Sequence, residues 1–246
     1  MLMEKYFESM KKVLEKIENT QRQNISICAD VIVKSLCNNG IWHLLDTGHM
    51  LMYEGVGRAG GMMAVRPIRI TVDVSNPTRR RQMIDKKNVY LDEIEGFPDF
   101  VLSKANIAPG DVLMIGSVSG KNILPVEIAL KAKKMGVHTI AITSVKYSGS
   151  LKAEHPSGKR LFEVCDYVLD NCGEIGDALV YVDELGKSIC PSSGIASSYI
   201  MWALQAEVVE KMLSIGKKPS IYVSNHLDNA SRINNQSWSD YENQGY

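Results

Sequence analysis

The sequence has no excess of charge of either sign, since 28 lysine and arginine residues balance 28 aspartate and glutamate residues among 246. Proteins that bind nucleic acid or an anionic membrane surface generally carry a strong basic excess, so neither partner is expected. The sequence also lacks an apolar run near the roughly 20 residues that span a bilayer, and Met1–Tyr6 does not open a signal-peptide core. We therefore expect a soluble, cytoplasmic protein.

Cysteine is scarce and irregularly spaced. The five cysteines form an odd set with no pair at Cys-Xaa-Xaa-Cys spacing, which indicates neither a disulfide framework nor a zinc ribbon. The pattern is typical of reduced thiols in the cytosol. We predict no metal and no cofactor. The residues are Cys28, Cys37, Cys165, Cys172 and Cys190.

No proline- or glycine-rich linker and no internal repeat divides the chain, so we predict one domain with three parts. Residues 1–40 form an N-terminal helical extension, residues 41–225 an α/β body, and residues 226–246 an irregular tail. Apolar residues recur at helical spacing from Tyr6 to Cys37. This spacing predicts two helices, or one helix broken near Gln21–Asn24.

Short apolar runs alternate with helical stretches in the body of the chain. Helices are predicted at Asn122–Met135 and Ile195–Leu213, and a mixed, partly looped segment at Ser148–Phe162. Strands joined by helices of this length indicate right-handed βαβ units and a parallel sheet. The predicted strands are Ile41–Leu45, Ile68–Val74, Val112–Ile115, Thr139–Thr143 and Tyr167–Leu169.

The loop after the third predicted strand is the most informative segment. Open parallel sheets bind ligands beyond the carboxyl ends of their strands. Residues 116–122 read GSVSGKN and lead into a helix. Hydroxyls, an asparagine amide and the backbone amides of a helix start together suit an anion such as a phosphate dianion. We predict phosphate contacts from Ser117, Ser119, Gly120 and Asn122, although a loop that merely caps the helix would give the same pattern.

Other small residues also follow predicted strands or precede helices. Gly48 follows the first strand, Thr143 and Ser144 close the fourth, and Ser192 and Ser193 introduce the last long helix. All five are candidate ligand contacts if they lie at the same edge of the sheet. A turn with a helix cap would explain Gly48 equally well, and an N-cap alone would explain Ser192 or Ser193.

Neither of two common nucleotide-binding motifs is indicated. No GxxxxGK[ST] pattern occurs, which excludes a Walker A loop. Gly55–Gly60 reads GVGRAG and matches GxGxxG, but it does not directly follow a strand and has no suitably placed acidic ribose partner. We predict close packing against a helix for these glycines, and no NAD site.

Taken together, these loops resemble the SIS (sugar isomerase) family, the phosphosugar-binding domains of aldose–ketose isomerases and related enzymes. The resemblance covers nearly the whole chain. It is closest to a bacterial subgroup of SIS-domain, phosphoheptose-isomerase-like proteins. The motifs of that subgroup are matched at Gly48–His49, Glu54, Arg58–Gly61, His155–Lys159, Asp170–Asn171 and Gly176–Ala178.

The resemblance implies a three-layer αβα sandwich around a five-stranded parallel sheet, flavodoxin-like or Rossmann-like, with residues 41–225 as the phosphosugar-binding domain. It also implies a homodimer or homotetramer with ligand sites near subunit interfaces. The chain departs from the subgroup at Met50, where a serine is usual, and in the tail at Asn225–Asn235. The usual Gly-Gly-Asp-Glu-His-Asn stretch is missing from that tail.

Sugar-phosphate isomerisation needs a base that moves a proton between neighbouring carbons and a donor to the carbonyl oxygen. Glu54 is the first candidate base, because it follows the first loop by one to two helical turns. His49 is the second, as a base or as a contact to a sugar hydroxyl. His155 and His226 are weaker candidates, and an ordinary surface or interface role would explain any of the four.

Three functional classes follow from the resemblance and stay open at this point. The first is a sugar-phosphate aldose–ketose isomerase that acts through an enediol or enediolate. The second is a noncatalytic sugar-phosphate sensor, which would need a partner protein because no DNA-binding segment accompanies it. The third is a lyase or etherase acting on an amino-sugar phosphate. Turnover to an isomer, binding without turnover, and loss of a carbon–oxygen substituent would distinguish them.

Overall fold

The computed structural model describes residues 1–48, 50–73 and 90–246. None of the helices in these ranges combines the length and the hydropathy needed to cross a bilayer. The helices are α1 (Leu2–Cys37), α2 (Phe97–Lys104), α3 (Ile123–Lys134), α4 (Val145–Ser150), α5 (Leu161–Val164), α6 (Ser193–Ser214) and α7 (Ala230–Gln244). The strands are β1 (Trp42–Asp46), β2 (Val65–Pro67), β3 (Val112–Gly116), β4 (His138–Thr143), β5 (Tyr167–Asp170), β6 (Ala178–Val182) and β7 (Lys187–Pro191).

Five strands form one parallel sheet in the order β2-β1-β3-β4-β5. The chain places β2 on one side of β1 and β3 on the other, which is the flavodoxin-like order. The switch point therefore lies between β1 and β3. Asp46 pairs with Gly116 there, at the carboxyl ends of the two strands. This is the edge of the sheet where such folds bind ligands.

Alternate residues of the central strands fill two separate cores. In β3, Val112 and Met114 pack in the core that contains α1 and α6. Leu113 and Ile115 pack in the core that contains α2, α3 and α5. All four side chains are fully buried, because helices cover both faces of a parallel sheet. The predicted three-layer α/β sandwich with five parallel strands and a helical N-terminal segment is confirmed.

The N-terminal segment is one unbroken helix from Leu2 to Cys37. Both predicted alternatives, two helices and one helix broken near Gln21–Asn24, were therefore wrong. The polar stretch that suggested a break contains Gln21, whose side chain is buried. Its Oε1 accepts hydrogen bonds from the Asn24 side chain at 3.2 Å and from the Asp170 backbone at 3.0 Å. The polar residue faces the core and is satisfied there by β5, which sequence periodicity does not reveal.

The second strand lies earlier in the chain than predicted. It spans Val65–Pro67, whereas the prediction was Ile68–Val74, the last residue of which lies outside the described ranges. Trp42 of β1 pairs with Val65 and sets the register. After Pro67 one further bond follows, from the Ile68 backbone N–H to Leu44 O at 2.8 Å. Ile68 and Ile70 of the predicted strand instead line the cleft described below.

The C-terminal tail is not irregular, because it contains the helix α7. Its aromatic side chains hold Arg66 of the edge strand β2. The Arg66 guanidinium carbon lies 5.7 Å from the centre of the Trp238 ring and 5.5 Å from that of Tyr241. A packed helix usually shows an apolar stripe in its sequence. The helix α7 packs through cation–π contacts instead, so its sequence lacks this pattern.

Of two other segments, one was not predicted and the other packs as the sequence predicts. The strands β6 and β7 form an antiparallel hairpin that was not predicted. The expected close packing of the GVGRAG segment occurs at Gly55. A Cβ there would lie 3.4 Å from Met201 Cγ of α6 and 3.0 Å from Leu51 O.

Candidate functional site

An open cleft of about 810 Å³ lies at the carboxyl ends of β1 and β3. Its volume falls in the range of about 300–1,000 Å³ that is usual for sites binding small molecules. The predicted residues that line it are Gly48, Ser117, Ser119 and Asn122. Gly120, Thr143, Ser144, Ser192 and Ser193 are not among the described residues that line it.

Asp46 shapes the first loop of the cleft. Its Oδ1 accepts a hydrogen bond from the Gly48 N–H at 2.9 Å, and its Oδ2 accepts one from the Leu51 N–H at 2.6 Å. Gly116 on β3 leaves room for this carboxyl group, since a Cβ there would lie 3.2 Å from Asp46 Cγ. Asp46 therefore holds Gly48 in place, a role that the sequence prediction missed.

The serine loop offers polar side chains to the cleft. Within the described residues, no hydrogen bond is formed by the Ser117 or Ser119 hydroxyl or by the Asn122 side chain. Asn122 occupies the N-cap of α3 in extended backbone without a side-chain cap bond. All three line the cleft beside a helix N-terminus, where the backbone favours negative charge. A ligand anion would supply the partners that these groups otherwise lack.

The serine loop packs closely against Thr143 and Ser144, which brace it, and Gly120 lies at this contact. Gly120 has φ +53°, and a Cβ there would lie 3.1 Å from the hydroxyl oxygens of Thr143 and Ser148. The buried Thr143 hydroxyl donates to Val118 O at 3.0 Å, within the loop. The buried Ser144 hydroxyl donates to Gly173 O at 2.7 Å. The bonds that Thr143 and Ser144 form are internal, so their predicted ligand contacts stay predictions.

A second brace runs from the segment before α5, which carries the HPSGK motif. The Glu154 N–H donates to Lys121 O at 2.9 Å, and the Leu161 N–H donates to Gly120 O at 2.8 Å. The buried His155 Nε2 lies 2.7 Å from Glu127 Oε2 of α3. This hydrogen bond contributes most to holding the pKa of Glu127 below its usual value. His155 thereby joins the bracing segment to α3.

Asp177 ties the cleft to the start of α6. Its Oδ1 accepts hydrogen bonds from both the N–H and the hydroxyl of Ser192 at 3.1 Å. Ser193 donates its N–H at 2.8 Å and its hydroxyl at 2.5 Å. Asp177 lines the cleft, while Ser192 and Ser193 are buried behind it. The hydrogen bonds that both serines form go to Asp177, so their predicted ligand contacts stay predictions.

The structure does not place either of the two predicted catalytic residues, Glu54 and His49, in the cleft. Glu54 is not among the described residues that line the cleft. Its Oε2 lies 3.3 Å from Arg58 Nε on an exposed turn. His49 lies outside the described residues. His226 is exposed in the tail.

The cleft also contains charged and aromatic residues that sequence reasoning missed. They are Arg69, Asp92, Tyr53, Tyr90 and Tyr147. Arg69 belongs to the apolar run Ile68–Val74, which predicts a strand and so gives no indication of a ligand site. Alternation within that run, in which Arg69 stands between two isoleucines, is the signal that was available.

Two of the five cysteines, Cys28 and Cys165, are unsuited to act as nucleophiles. Burial raises the pKa of Cys28 and of Cys165 to about 12. Both thiols are therefore protonated near neutral pH, and the thiolate is the reactive form.

Comparison with known families matches residues 5–144 to the SIS domain. A UPF0309 protein of Geobacillus kaustophilus is 32% identical over 236 residues, covering 95% of this chain and 91% of the relative. A UPF0309 protein of Shouchella clausii is 31% identical over 236 residues, covering 94% and 93%. The structure of a phosphoheptose isomerase from Francisella tularensis matches with a TM-score of 0.53 and 17% identity, covering 84% of this chain and 95% of that one. This last likeness concerns the fold alone.

Proposed function

This chain belongs to the SIS domain family, as its loops predicted, and we propose that it binds a sugar phosphate in the cleft between β1 and β3. The phosphate lies at the start of α3, where Ser117, Ser119 and Asn122 donate hydrogen bonds to it. Gly48, on the neighbouring loop, allows the backbone to approach the ligand.

One observation carries this proposal. Three polar side chains without a partner among the described residues converge on a helix N-terminus, at the switch point of a parallel sheet. Ser117 is buried and Ser119 is half-buried. Polar groups in such positions usually find partners, so these two hydroxyls, beside the exposed Asn122 amide, favour a ligand with several acceptor oxygens. A phosphate dianion meets that description and also suits the partial positive charge of the helix start. Arg69 in the same cleft adds a full positive charge.

We further propose that the bound sugar phosphate is isomerised between its aldose and ketose forms. The reaction transfers a proton between neighbouring carbons through an enediolate and needs one base and one donor to the carbonyl oxygen. Hydroxyl groups of the cleft tyrosines and the Arg69 guanidinium are available as donors. Glu54 and His49 remain the bases that the sequence predicts.

A homodimer or homotetramer also remains a proposal. Most apolar residues of α1 and α6 pack inside one chain, so their pattern does not by itself require a partner. Apolar side chains on the same helices stay exposed, including Phe7 at 56%, Ile195 at 49% and Leu213 at 53%. Apolar side chains exposed singly are normal on a protein surface, so this proposal rests on the family resemblance, and sedimentation of the purified chain would test it.

Calorimetric titration with a panel of pentose, hexose and heptose phosphates tests the binding proposal. We expect a phosphosugar to bind, its unphosphorylated counterpart not to bind, and Ser119→Ala to weaken binding by about tenfold or more, the usual cost of removing a hydrogen bond to a charged group. Ser103→Ala is the matched control, because the Ser103 hydroxyl is exposed and bonds to its own helix. Equal affinities of wild type and Ser119→Ala would contradict the proposed site.

A further inference from the structure

The cleft contains three aspartates among the described residues that line it, and two of them are fully engaged. Asp46 accepts backbone N–H groups on both carboxyl oxygens. Asp177 accepts two N–H groups and two hydroxyls from Ser192 and Ser193. Each of these carboxylates holds the chain in a fixed path. Both oxygens of each carboxylate thus already have hydrogen-bond partners within the chain.

Asp92 is different from both. It lies in a short 3₁₀ turn at Leu91–Glu93 and is half-buried in the wall of the cleft. Its Oδ2 accepts one long hydrogen bond, from the Leu124 N–H in the first turn of α3, at 3.4 Å. No partner of Oδ1 is found within the described residues. One carboxyl oxygen therefore remains open to a ligand, beside the helix start that we assign to the phosphate.

We propose that Asp92 is the general base of the isomerisation, an inference that rests on the proposed function. Its carboxylate removes the proton from the carbon next to the carbonyl. The electrons of the broken C–H bond form the carbon–carbon double bond of the enediolate, and the carbonyl π electrons pass to oxygen. The neighbouring hydroxyl gives its proton to that oxygen. As this hydroxyl becomes the new carbonyl, the Asp92 carboxylic acid returns its proton to the former carbonyl carbon.

The geometry separates Asp92 from Glu54, the base that the sequence predicts. Glu54 is ion-paired to Arg58 and is not among the described residues lining the cleft. Asp92 lines the cleft together with Ser119 and Asn122. A bound phosphosugar would place its carbon chain within the same cleft. Of these two carboxylates, Asp92 is therefore the one that lies beside the ligand.

A purely structural role for Asp92, as a cap of α3, is the competing explanation. Asparagine keeps an acceptor oxygen for the Leu124 N–H but lacks a basic carboxylate. Asp92→Asn therefore distinguishes a cap from a base. Glu93→Gln is the matched control, since Glu93 is an exposed neighbour in the same turn and does not line the cleft.

The experiment follows proton exchange in D₂O by NMR, with fructose 6-phosphate, ribulose 5-phosphate and sedoheptulose 7-phosphate as probes and affinity measured in parallel by calorimetry. For the probe that binds, we expect Asp92→Asn to keep its affinity within about threefold, while deuterium incorporation next to the carbonyl falls by about 100-fold or more, the usual contribution of a general base. Glu93→Gln keeps the wild-type rate. In Asp92→Ala, added formate restores exchange, which a lost structural contact would not allow.

Several outcomes would overturn the inference. Undiminished exchange in Asp92→Asn excludes Asp92 as the base, as does exchange that is lost only in Glu54→Gln. If Asp92→Asn does not fold, the absence of formate rescue in Asp92→Ala has the same meaning. Wild-type protein that binds a probe without exchanging its protons removes the need for any base and leaves the binding proposal intact. Failure of wild type to bind any probe removes the proposed function itself.

Discussion

The two edges of the parallel sheet treat their polar residues in opposite ways. At the amino edge, Asp111 accepts hydrogen bonds from the N–H groups of Ile41 and Ala108, both at 2.8 Å. Its Oδ2 lies 3.0 Å from His43 Nε2, and the two side chains are only 4% and 5% exposed. At the carboxyl edge, Ser119 and the other polar side chains of the serine loop face an open cleft.

The difference shows which polar groups stabilise the fold and which are available for chemistry. A buried polar group without a partner costs free energy, so the amino edge pairs its aspartate and histidine completely. The carboxyl edge also uses aspartates to hold its backbone, at Asp46 and Asp177. Around these fixed points it leaves hydroxyls and one carboxylate open to a ligand. Rigid anchors beside open donors are what an organised binding site requires.

Asp111→Ala should break the amino edge and give the largest change in stability. It removes the acceptor of two backbone N–H groups and leaves His43 without its buried partner. Leaving a buried donor without its acceptor generally costs about 1–3 kcal/mol of unfolding free energy for each group. Urea denaturation followed by circular dichroism would measure the loss.

The comparison requires this loss to be specific to the buried edge. Asp99 forms an exposed ion pair with Lys131 at 2.9 Å, so Asp99→Ala should cost far less. Where Asp111→Ala still folds, its phosphosugar affinity should match that of wild type. Similar losses of stability in the two variants would contradict the assignment of Asp111 as an anchor.

Gly120→Ala should lower the unfolding free energy by less than Asp111→Ala does. Unlike Asp111→Ala, it should also weaken ligand binding at the carboxyl edge. The residue has φ +53°, where a side chain costs about 1–3 kcal/mol. In addition, the new Cβ would lie 3.1 Å from Thr143 Oγ1 and 3.2 Å from Leu161 Cβ. Relief of this crowding would move the loop that carries Ser119, so calorimetric titration should show a weakened phosphosugar affinity.

Gly158→Ala separates backbone strain from crowding. Gly158 has φ +69°, and nothing lies within 4 Å of its Cβ position. We therefore expect a loss of stability from strain alone and an affinity close to that of wild type. An equal loss of affinity in both variants would show that strain, and not the packing beneath the serine loop, controls the site.

The sequence predicted those features that depend on local patterns. Alternating strands and helices predicted the parallel sheet, because burial on both faces requires continuous apolar runs such as Val112–Ile115. The spacing of Ser117, Ser119 and Asn122 directly after such a run placed all three at the carboxyl edge. Strand, loop and helix are consecutive in the chain there, so local order determines position.

Features that depend on distant contacts were missed. Asp92 reaches the cleft because its turn packs against the start of α3, 32 residues further along the chain. The hydrogen bonds of Ser192 and Ser193 to Asp177, 15 and 16 residues away, were not predicted, while their ligand contacts stay predictions. The helix α7 was missed because Arg66, far back in the chain, provides its packing partner. No periodicity within a short window carries this information.

The smallest predicted effect concerns the pH dependence of stability at the amino edge. Burial lowers the pKa of His43 below its ordinary value of 6.5 and outweighs the hydrogen bond to Asp111, which acts in the opposite direction. The unfolded chain therefore binds a proton at His43 before the folded chain does, as pH falls below about 6.5. Stability should decrease with acidification in that window and be fully present above it.

His43→Gln should lose less stability than wild type between about pH 7 and 5, whereas the exposed His138→Gln should follow wild type. Urea denaturation across this range would measure both slopes, and an unchanged slope in His43→Gln would show that the buried pair does not couple the fold to pH.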